Sequence, residues 1–300
     1  MAVDAVSRAQ ARSRGERRST GSLISTSAAM LFMIMFAMYF LLPLVWLLFS
    51  STKTNADITS APGLWFGSQF VLGQNLHDVF TRDEGHYLPW VANTLIYAGS
   101  VASVGTIIAS LAGYALSKFQ FPGREVIFAV MLGSIMVPGA ALVLPLFLLM
   151  SYLHMINTYW AVILPSLVNV FGVYLMRVYS TQSVPDEMLA AARIDGAGEF
   201  RIFWSVAMPV MLPGFVTVFL FSFVGQWNNY FLPLVVLSDP KLFPLTLGLA
   251  SWQGIQGGAS QITYSMIITG AMVAVVPLII AFLLLQRYWR SGLTLGAVKA

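Results

Sequence analysis

The chain has 300 residues, of which 58% are apolar and 9% charged, with a formal net charge of +4 and no cysteine. A water-soluble domain dresses its surface with about a quarter charged residues, so most of this surface must face lipid or other helices. The basic residues sit at the ends of apolar stretches rather than in one patch, which excludes a nucleic-acid platform; His77, His86 and His154 are too scattered for a metal site, and thiol chemistry is absent.

Residues 1–22 are polar, small and rich in arginine (Arg8, Arg12, Arg14, Arg17, Arg18), which reads as a cytoplasmic tail, disordered or resting on anionic lipid. An arginine-rich start before an apolar run has the look of a secretory signal. However, the stretch from Ser22 to Thr52 carries no charge, its apolar part Ala28–Phe49 is long enough to span, and no small-residue cleavage site follows. A retained first helix is expected.

An apolar helix crosses the hydrocarbon in about 20 residues. Six stretches free of Asp, Glu, Lys and Arg meet that length: Ala28–Ser50, Val91–Ser117, Val126–Met150, Thr158–Met176, Val210–Leu237 and Thr263–Gln286. Pro43, Pro138, Pro145, Pro165, Pro233 and Pro277 lie inside them and predict kinks whose freed carbonyls neighbouring helices re-satisfy. The fold class is therefore an all-α membrane protein of six transmembrane helices, with a permease domain over residues 23–290, an external loop over 51–90, an inner loop over 177–209 and a C-terminal tail over 291–300. With both termini placed inside, the inner segments hold all but three of the 16 basic residues, the outer ones keeping Lys53, Arg82 and Lys241. Cytoplasmic loops concentrate Lys and Arg, so both termini are expected in the cytoplasm. Trp65, Trp90, Trp160, Trp252 and the pair Tyr288–Trp289 fall near the expected interfaces, where amphipathic rings belong.

Charge placement narrows the function. Ion-coupled carriers keep an ionisable residue at membrane depth, and no charged residue falls in a span here. The same fact leaves no acid–base pair for a membrane-embedded hydrolase. A phosphate-binding loop needs Gly-Lys before Ser or Thr, and no Gly-Lys pair exists in the chain. Uphill transport would then draw its energy from a partner.

The most informative stretch is the inner loop, Arg177 to Pro209. Ser183 followed by Asp186 three residues on resembles a capping box, with Pro185 in the first turn. A helix is expected through Ala190, Ala191 and Ala192 to about Ile194, then a tight turn at Gly196, then a second amphipathic helix carrying Phe200, Phe203 and Trp204 before Pro209. Three consecutive alanines leave a bare helix surface that another protein's backbone can approach. A segment of this kind could transmit a push into the bundle; it could equally lie on the membrane as an interfacial helix.

The stretch PDEMLAAARIDGA, followed by a phenylalanine and then MPVMLPG, resembles the EAA loop of binding-protein-dependent importers of the ATP-binding-cassette (ABC) type, and in particular the carbohydrate permease subunits of the MalG type. LLPLVWLLFSSTKT, INTYWAVILPSLVNVFGVYLMR and QRYWRSGLTLGAVKA are similar to the same family, so the likeness covers nearly the whole chain from the first span. The resemblance implies the type I importer permease fold (MetI-like), in the bacterial inner membrane. It implies pairing with a second homologous permease, two copies of an ABC ATPase that bind ATP and Mg, and an extracytoplasmic solute-binding protein. No cofactor is implied in this chain, and no covalent chemistry. By the same resemblance Glu187, Ala190, Ala191, Ala192, Asp195, Gly196, Ala197 and Phe200 dock in a cleft of the ATPase, whose closure switches the bundle between inward- and outward-open. The tail residues Gly292, Leu293, Thr294 and Lys299 reach between the ATPase domains. In the family's glutamate position this chain has Ala190, with Glu187 one turn earlier on the same face; Asp195, Gly196 and Ala197 match.

In the fifth span, Gln226, Trp227, Asn228, Asn229 and Tyr230 form a polar and aromatic run. Amides bond hydroxyls and aromatic faces stack on C–H surfaces, which is what a neutral sugar requires. On a continuous helix Gln226, Asn229 and Tyr230 share a face. The other reading makes the amides interhelical glue and the aromatics an outer belt. Asn93 and Thr94 in the second span are further candidates. The expected cargo is a sugar or oligosaccharide, with glycerol phosphate or another small organic solute as the alternative, and a passive channel or membrane scaffold as the alternative of another class.

Overall fold

The computed structural model describes residues 20–254 and 263–295, and every regular element among them is helical. Five helical stretches are long and apolar enough to cross a membrane, and a bent pair makes a sixth if counted as one crossing.

Helix α1 (Thr20–Ser51) is apolar on all sides and stands at the edge of the bundle, with every side chain from 26 to 46 exposed. A helix hydrophobic all round is dressed for lipid or for other helices, not for water. The segment that follows, expected to be external, is folded into α2 (Asp57–Ser60), α3 (Leu72–Thr81) and a 3-10 turn at Asp83–Gly85. Helix α4 (Tyr87–Lys118) is the central pillar. Its buried stripe Ala98, Ala102, Gly105, Ala109 and Gly113 is made of small residues, which let backbones close up without a hydrophobic driving force between helices. A Cβ on Gly113 would fall 2.7 Å from the backbone nitrogen of Arg177, and one on Gly105 would fall 3.2 Å from the carbonyl oxygen of Leu167.

Three crossings depart from the expected continuous helices. The stretch Val126–Met150 is two helices, α5 (Arg124–Ser134) and α6 (Gly139–Tyr152), bent by 103°. Pro138 sits at the break with an extended ψ of 128°; it cannot donate a helical hydrogen bond, and it pushes the residue before it out of the helical region. The fourth crossing is also in two pieces, α7 (Tyr159–Ser166) and α8 (Val170–Ser183), and runs past Met176 to Ser183. Arg177 therefore belongs to a helix and not to the inner loop. Its guanidinium bonds Glu125 at 2.8 Å and lies 3.8 Å over the Phe128 ring, so the charge is neutralised while the stem covers apolar surface. The fifth crossing starts not at Val210 but at Glu199. It runs through a short helix, Glu199–Ile202, and a π turn, Phe203–Ala207, where the Met208 N–H donates to the Phe203 carbonyl, and then along Met208–Trp227. The second amphipathic helix expected in the inner loop is thus the first two turns of this crossing. The crossing stops at Trp227, well short of Leu237, and the chain resumes helically only at Phe231–Val236. A helix Leu245–Gly254 and the long helix Tyr264–Leu295 complete the described chain.

The segments assigned to the two membrane faces by counting basic residues meet at opposite ends of the bundle. At one end Lys118 Nζ donates to the Val184 carbonyl (2.6 Å) and to Asp186 (2.7 Å). At the other, the Trp90 indole N–H donates to the Pro240 carbonyl (2.9 Å), the Asn157 N–H to the Val236 carbonyl (2.8 Å) and the Tyr264 N–H to Asn55 (3.0 Å). Trp65 and Trp160 are exposed as interfacial rings should be, but Trp90 and Trp252 are wholly buried. Their rings pack on each other at 5.0 Å and Trp252 stacks on Tyr87 at 6.1 Å, so they are the core of an outer cap rather than part of a belt. The side chains of Tyr288 and Trp289 lie outside the described residues.

Candidate functional site

Two features stand out, an elbow at the inner end and a polar cleft within the bundle. The elbow is a helix, Asp186–Ile194, a turn, and the start of the fifth crossing at Glu199. The expected capping box does not form. Ser183 closes the preceding helix, Pro185 is the N-cap without a side-chain bond, and Asp186 turns instead to Lys118. That hydrogen bond and charge hold the Asp186 carboxyl below its usual range. The C-terminal end is as the sequence suggests. Gly196 has φ +78°, the Ala197 N–H donates to the Ala192 carbonyl and the Gly196 N–H to the Arg193 carbonyl, both at 3.0 Å. This pair of bonds is the Schellman arrangement, which a residue with a Cβ adopts only with strain. Across the turn, Arg193 grips Glu199 with two hydrogen bonds of 2.6 and 3.2 Å.

Leu189 is buried and fastens the helix to the bundle, with Met188, Ala192 and Ala197 packed beside it. The opposite face presents Glu187, Ala190, Ala191 and Ile194, all exposed, and Asp195 is exposed at the helix end. Ile194 is 86% exposed and Phe200 is 71% exposed, with Phe200 edge-on to a partly exposed Trp204. The turn thus groups large apolar side chains on one exposed surface. Ile194 and Trp204 were not among the expected contact residues, although Ile194 follows Glu187 and Ala190 at helical spacing. Gly292, Leu293 and Thr294 continue the last helix, which extends to Leu295; their side chains, and Lys299, lie outside the described residues.

The cleft forms where three crossings are broken. A cavity of about 350 Å³ is lined by Ile135, Ser166, Asn169, Ser222, Gly225 and Gln226 among others. A neighbouring cavity of about 280 Å³ shares Ser166 and adds Gly139, Asn229 and Phe231. These residues flank the break before Gly139, the break before Val170 and the break after Trp227. Broken helices inside a bundle are tolerated where they line a cavity, and they place backbone and amide groups at depth. Both volumes are in or close to the range of small-ligand sites. No Asp, Glu, Lys or Arg lines either cavity.

Within the cleft the Asn169 side-chain N–H donates to Ser222 Oγ (2.8 Å), while its oxygen accepts from the Gly172 N–H (2.8 Å) and so caps the helix below the break. The Asn229 side-chain N–H donates to Gln226 Oε1 at 3.1 Å. Of the polar run read from sequence, Gln226 and Asn229 reach the cavities. Trp227 is buried against Phe223, Asn228 bonds the Val224 carbonyl of its own helix, and Tyr230 is partly exposed but lines neither cavity. The shared face expected for Tyr230 required a helix that in fact ends at Trp227. Asn93 is withdrawn as a solute contact. It is buried, its amide N–H groups donate to the Lys241 and Phe243 carbonyls (2.7 and 3.0 Å), and its oxygen accepts from the Tyr159 hydroxyl (2.7 Å). Thr94 is likewise spent on the Leu245 N–H. Ser166, Asn169 and Ser222 were not singled out from sequence; an asparagine four residues beyond Pro165 within an apolar run was the available signal.

Among the described residues no group of three or more His, Cys, Asp or Glu could hold a metal ion. Residues 105–293 match the family described as the binding-protein-dependent transport system inner membrane component. The chain is 34% identical to the arabinooligosaccharides transport system permease protein AraQ of Bacillus subtilis (strain 168), over 91% of this chain and 95% of that protein. It is 31% identical to the maltodextrin transport system permease protein MdxG of the same organism (94% and 99%), and 30% identical to the lactose transport system permease protein LacG of Rhizobium radiobacter (86% and 90%). Its fold is similar to a solved chain of a bacterial ABC transporter involved in the import of the acidic polysaccharide alginate, with a TM-score of 0.75 and 24% identity over 90% of this chain and 98% of that one.

Proposed function

This chain belongs to the family of binding-protein-dependent transport system inner membrane components, and from that premise we propose that it forms half of the path by which an ATP-driven importer admits a neutral sugar or oligosaccharide. It is a multi-pass permease of the inner membrane, a transport component and not an enzyme; membership in a binding-protein-dependent system implies an ATPase and a binding protein as partners. The finer assignments are proposals: a second homologous permease to complete the path, two ATPase copies that bind ATP and Mg on the cytoplasmic side where both termini lie, and an extracytoplasmic binding protein that delivers the solute.

One observation carries the reading. One arm of the exposed elbow is the start of the crossing Glu199–Trp227, and the other, Asp186–Ile194, is joined through the extended pair Val184–Pro185 to the crossing Tyr159–Ser183; the breaks in these two crossings wall the polar cleft. A force applied at Ala190, Ala191, Ile194 and Phe200 would reach Asn169 through Val170–Ser183, and Ser222 and Gln226 through Glu199–Trp227. Alternating access follows if the ATPase holds the elbow and the two crossings tilt as the ATPase closes. At the docking face Ala190 supplies a bare surface where the family's carboxylate would stand, and Glu187 is the nearest carboxylate on that face. The tail residues Gly292, Leu293, Thr294 and Lys299 are proposed as a second contact with the ATPase. Ala191→Asp tests the docking. Burying an unpaired carboxylate at the contact costs well over ~1.4 kcal/mol, so uptake and solute-stimulated ATPase activity are expected to fall by more than about tenfold with the permease still assembled. Wild-type rates in that variant would remove the elbow from the coupling path.

Uncharged cargo agrees with a cleft of amides and hydroxyls without Lys, Arg, Asp or Glu. The relatives named above carry arabinooligosaccharides, maltodextrin and lactose in their names, and the same substrate class is proposed here. In a Gln226→Ala, Asn229→Ala double variant, about 1 kcal/mol is expected for each hydrogen bond lost to the passing solute. Transport KM or solute preference should shift several-fold; kinetics identical to wild type would mean that the solute runs along the partner permease instead.

A further inference from the structure

We propose that residues 62–70 of the first external segment form an apolar tongue seated in the outer leaflet of the membrane, an anchor beside the outer end of α1. The tongue contains Leu64, Trp65, Phe66 and Phe70, all exposed, at 46%, 64%, 45% and 65%. From Ile58 to Leu76 the chain carries no charged residue, an unusual gap for an external segment of a membrane protein.

Its position fixes the occupant. The rings form a continuous run from the helix outward: Phe49 of α1 stacks on Trp65 at 6.0 Å and meets Phe66 edge-on at 4.8 Å, and Phe66 lies 6.0 Å from Phe70. Gly63 reaches further in, since a Cβ there would fall 3.3 Å from the ring of Trp46. Trp46 precedes the end of α1 at Ser51 by more than one turn, so at 1.5 Å rise per residue the tongue folds back about 7 Å along the helix. Side chains on a helix also lean toward its N-terminus, which here is the membrane interior, so the contact with Trp46 lies no shallower than that. A depth of about 5–10 Å is where interfacial apolar segments sit, at the boundary of headgroups and acyl chains. The surface they join is the all-exposed apolar face of α1.

The tongue is held in place rather than trailing. Lys53, itself wholly buried, donates its ammonium to the Pro62 carbonyl at 2.7 Å. Asp57 accepts from the Ser68 N–H (3.0 Å) and hydroxyl (2.8 Å), and only a glycine at 67 leaves room for it, because a Cβ there would lie 2.6 Å from the Asp57 carboxylate. The Val71 N–H donates to the Thr52 carbonyl at 2.9 Å. Polar groups are thus satisfied at the base while the apolar side chains are turned outward, the arrangement of a wedge built for lipid. A solute-binding protein docking from water would meet a charged rim, and this segment carries no charge.

The absence of cysteine from the chain makes the test direct. Phe70→Cys and Leu64→Cys, each labelled with a nitroxide in the complete importer with its partner subunits freed of reactive thiols, are reconstituted in nanodiscs of phosphatidylethanolamine and phosphatidylglycerol. Power-saturation EPR then compares accessibility to oxygen, which concentrates in lipid, with accessibility to a water-soluble nickel chelate; Glu84→Cys, on an exposed outer turn, is the aqueous reference. At both tongue sites the oxygen-to-nickel ratio is expected to exceed the Glu84 value several-fold. A ratio equal to the reference would place the tongue in water, and low accessibility to both agents would mean that a protein covers it; either result overturns the anchor. Two sites guard against one substitution disturbing the tongue.

Discussion

The two ends of this bundle are built on opposite plans. At the outer end, Tyr87, Trp90 and Trp252 are buried together, the Trp252 indole N–H donates to Asp83 at 2.6 Å, and Gly248 lies so close beneath the Trp90 ring that a Cβ would fall 2.1 Å from it. At the inner end, the elbow keeps Ile194 and Phe200 open and is braced by ion pairs whose carboxylates are open to water, Lys118 with Asp186 and Arg193 with Glu199. Exposed pairs contribute little to stability, whereas a buried aromatic contributes a large dispersion and packing share. The contrast teaches where each region's stability comes from. The cap is packed from this chain's own aromatic residues; the elbow leaves its large apolar side chains open.

That contrast can be broken from either side. The largest effect is expected for Trp252→Ala, which empties a packed site and leaves the Asp83 carboxylate without its donor. Truncating a buried tryptophan costs about 3 kcal/mol or more, so the melting temperature of the purified permease should fall clearly; an unchanged melt would show that the outer cap is not the rigid end. A much smaller effect is expected for Asp186→Asn, because the lost partner is exposed. Lys118 lowers the carboxyl's folded-state pKa, so the pair's contribution is complete above the usual carboxylate range and fades as pH falls through that lowered value. Acidification should therefore take a small increment of stability from the wild type that Asp186→Asn never had. Equal acid sensitivity of the two proteins would mean that the brace carries no stability.

Much of this was legible before any coordinates. Spans depend on length and hydropathy, so the crossings could be read from the sequence. The Gly196 turn was legible because a left-handed residue at a helix end selects glycine. The breaks were less so. Pro138 and Pro165 announced kinks, but a proline alone does not say whether a helix bends or stops. Thr158–Met176 and Val210–Leu237 misplaced the boundaries of the inner loop for a related reason: Arg177 and Glu199 look like loop residues in a hydropathy scan, yet each has an ionic partner, Glu125 and Arg193, that lets it sit in a helix. Asn93 and Gln226 were indistinguishable as sequence, both amides in apolar runs. Only the fold sets one against the carbonyls of Lys241 and Phe243 and the other beside a cavity.

By itself, then, the sequence determined that this chain is an apolar helical bundle in a membrane with a glycine-hinged segment between two crossings, since those properties depend on composition and local periodicity. The tertiary structure alone decided which amides are spent on the scaffold and which line the cleft, and where the crossings that wall it are broken. Hydrogen bonds between residues far apart in the chain satisfy one polar group and leave another free, and no local pattern records which.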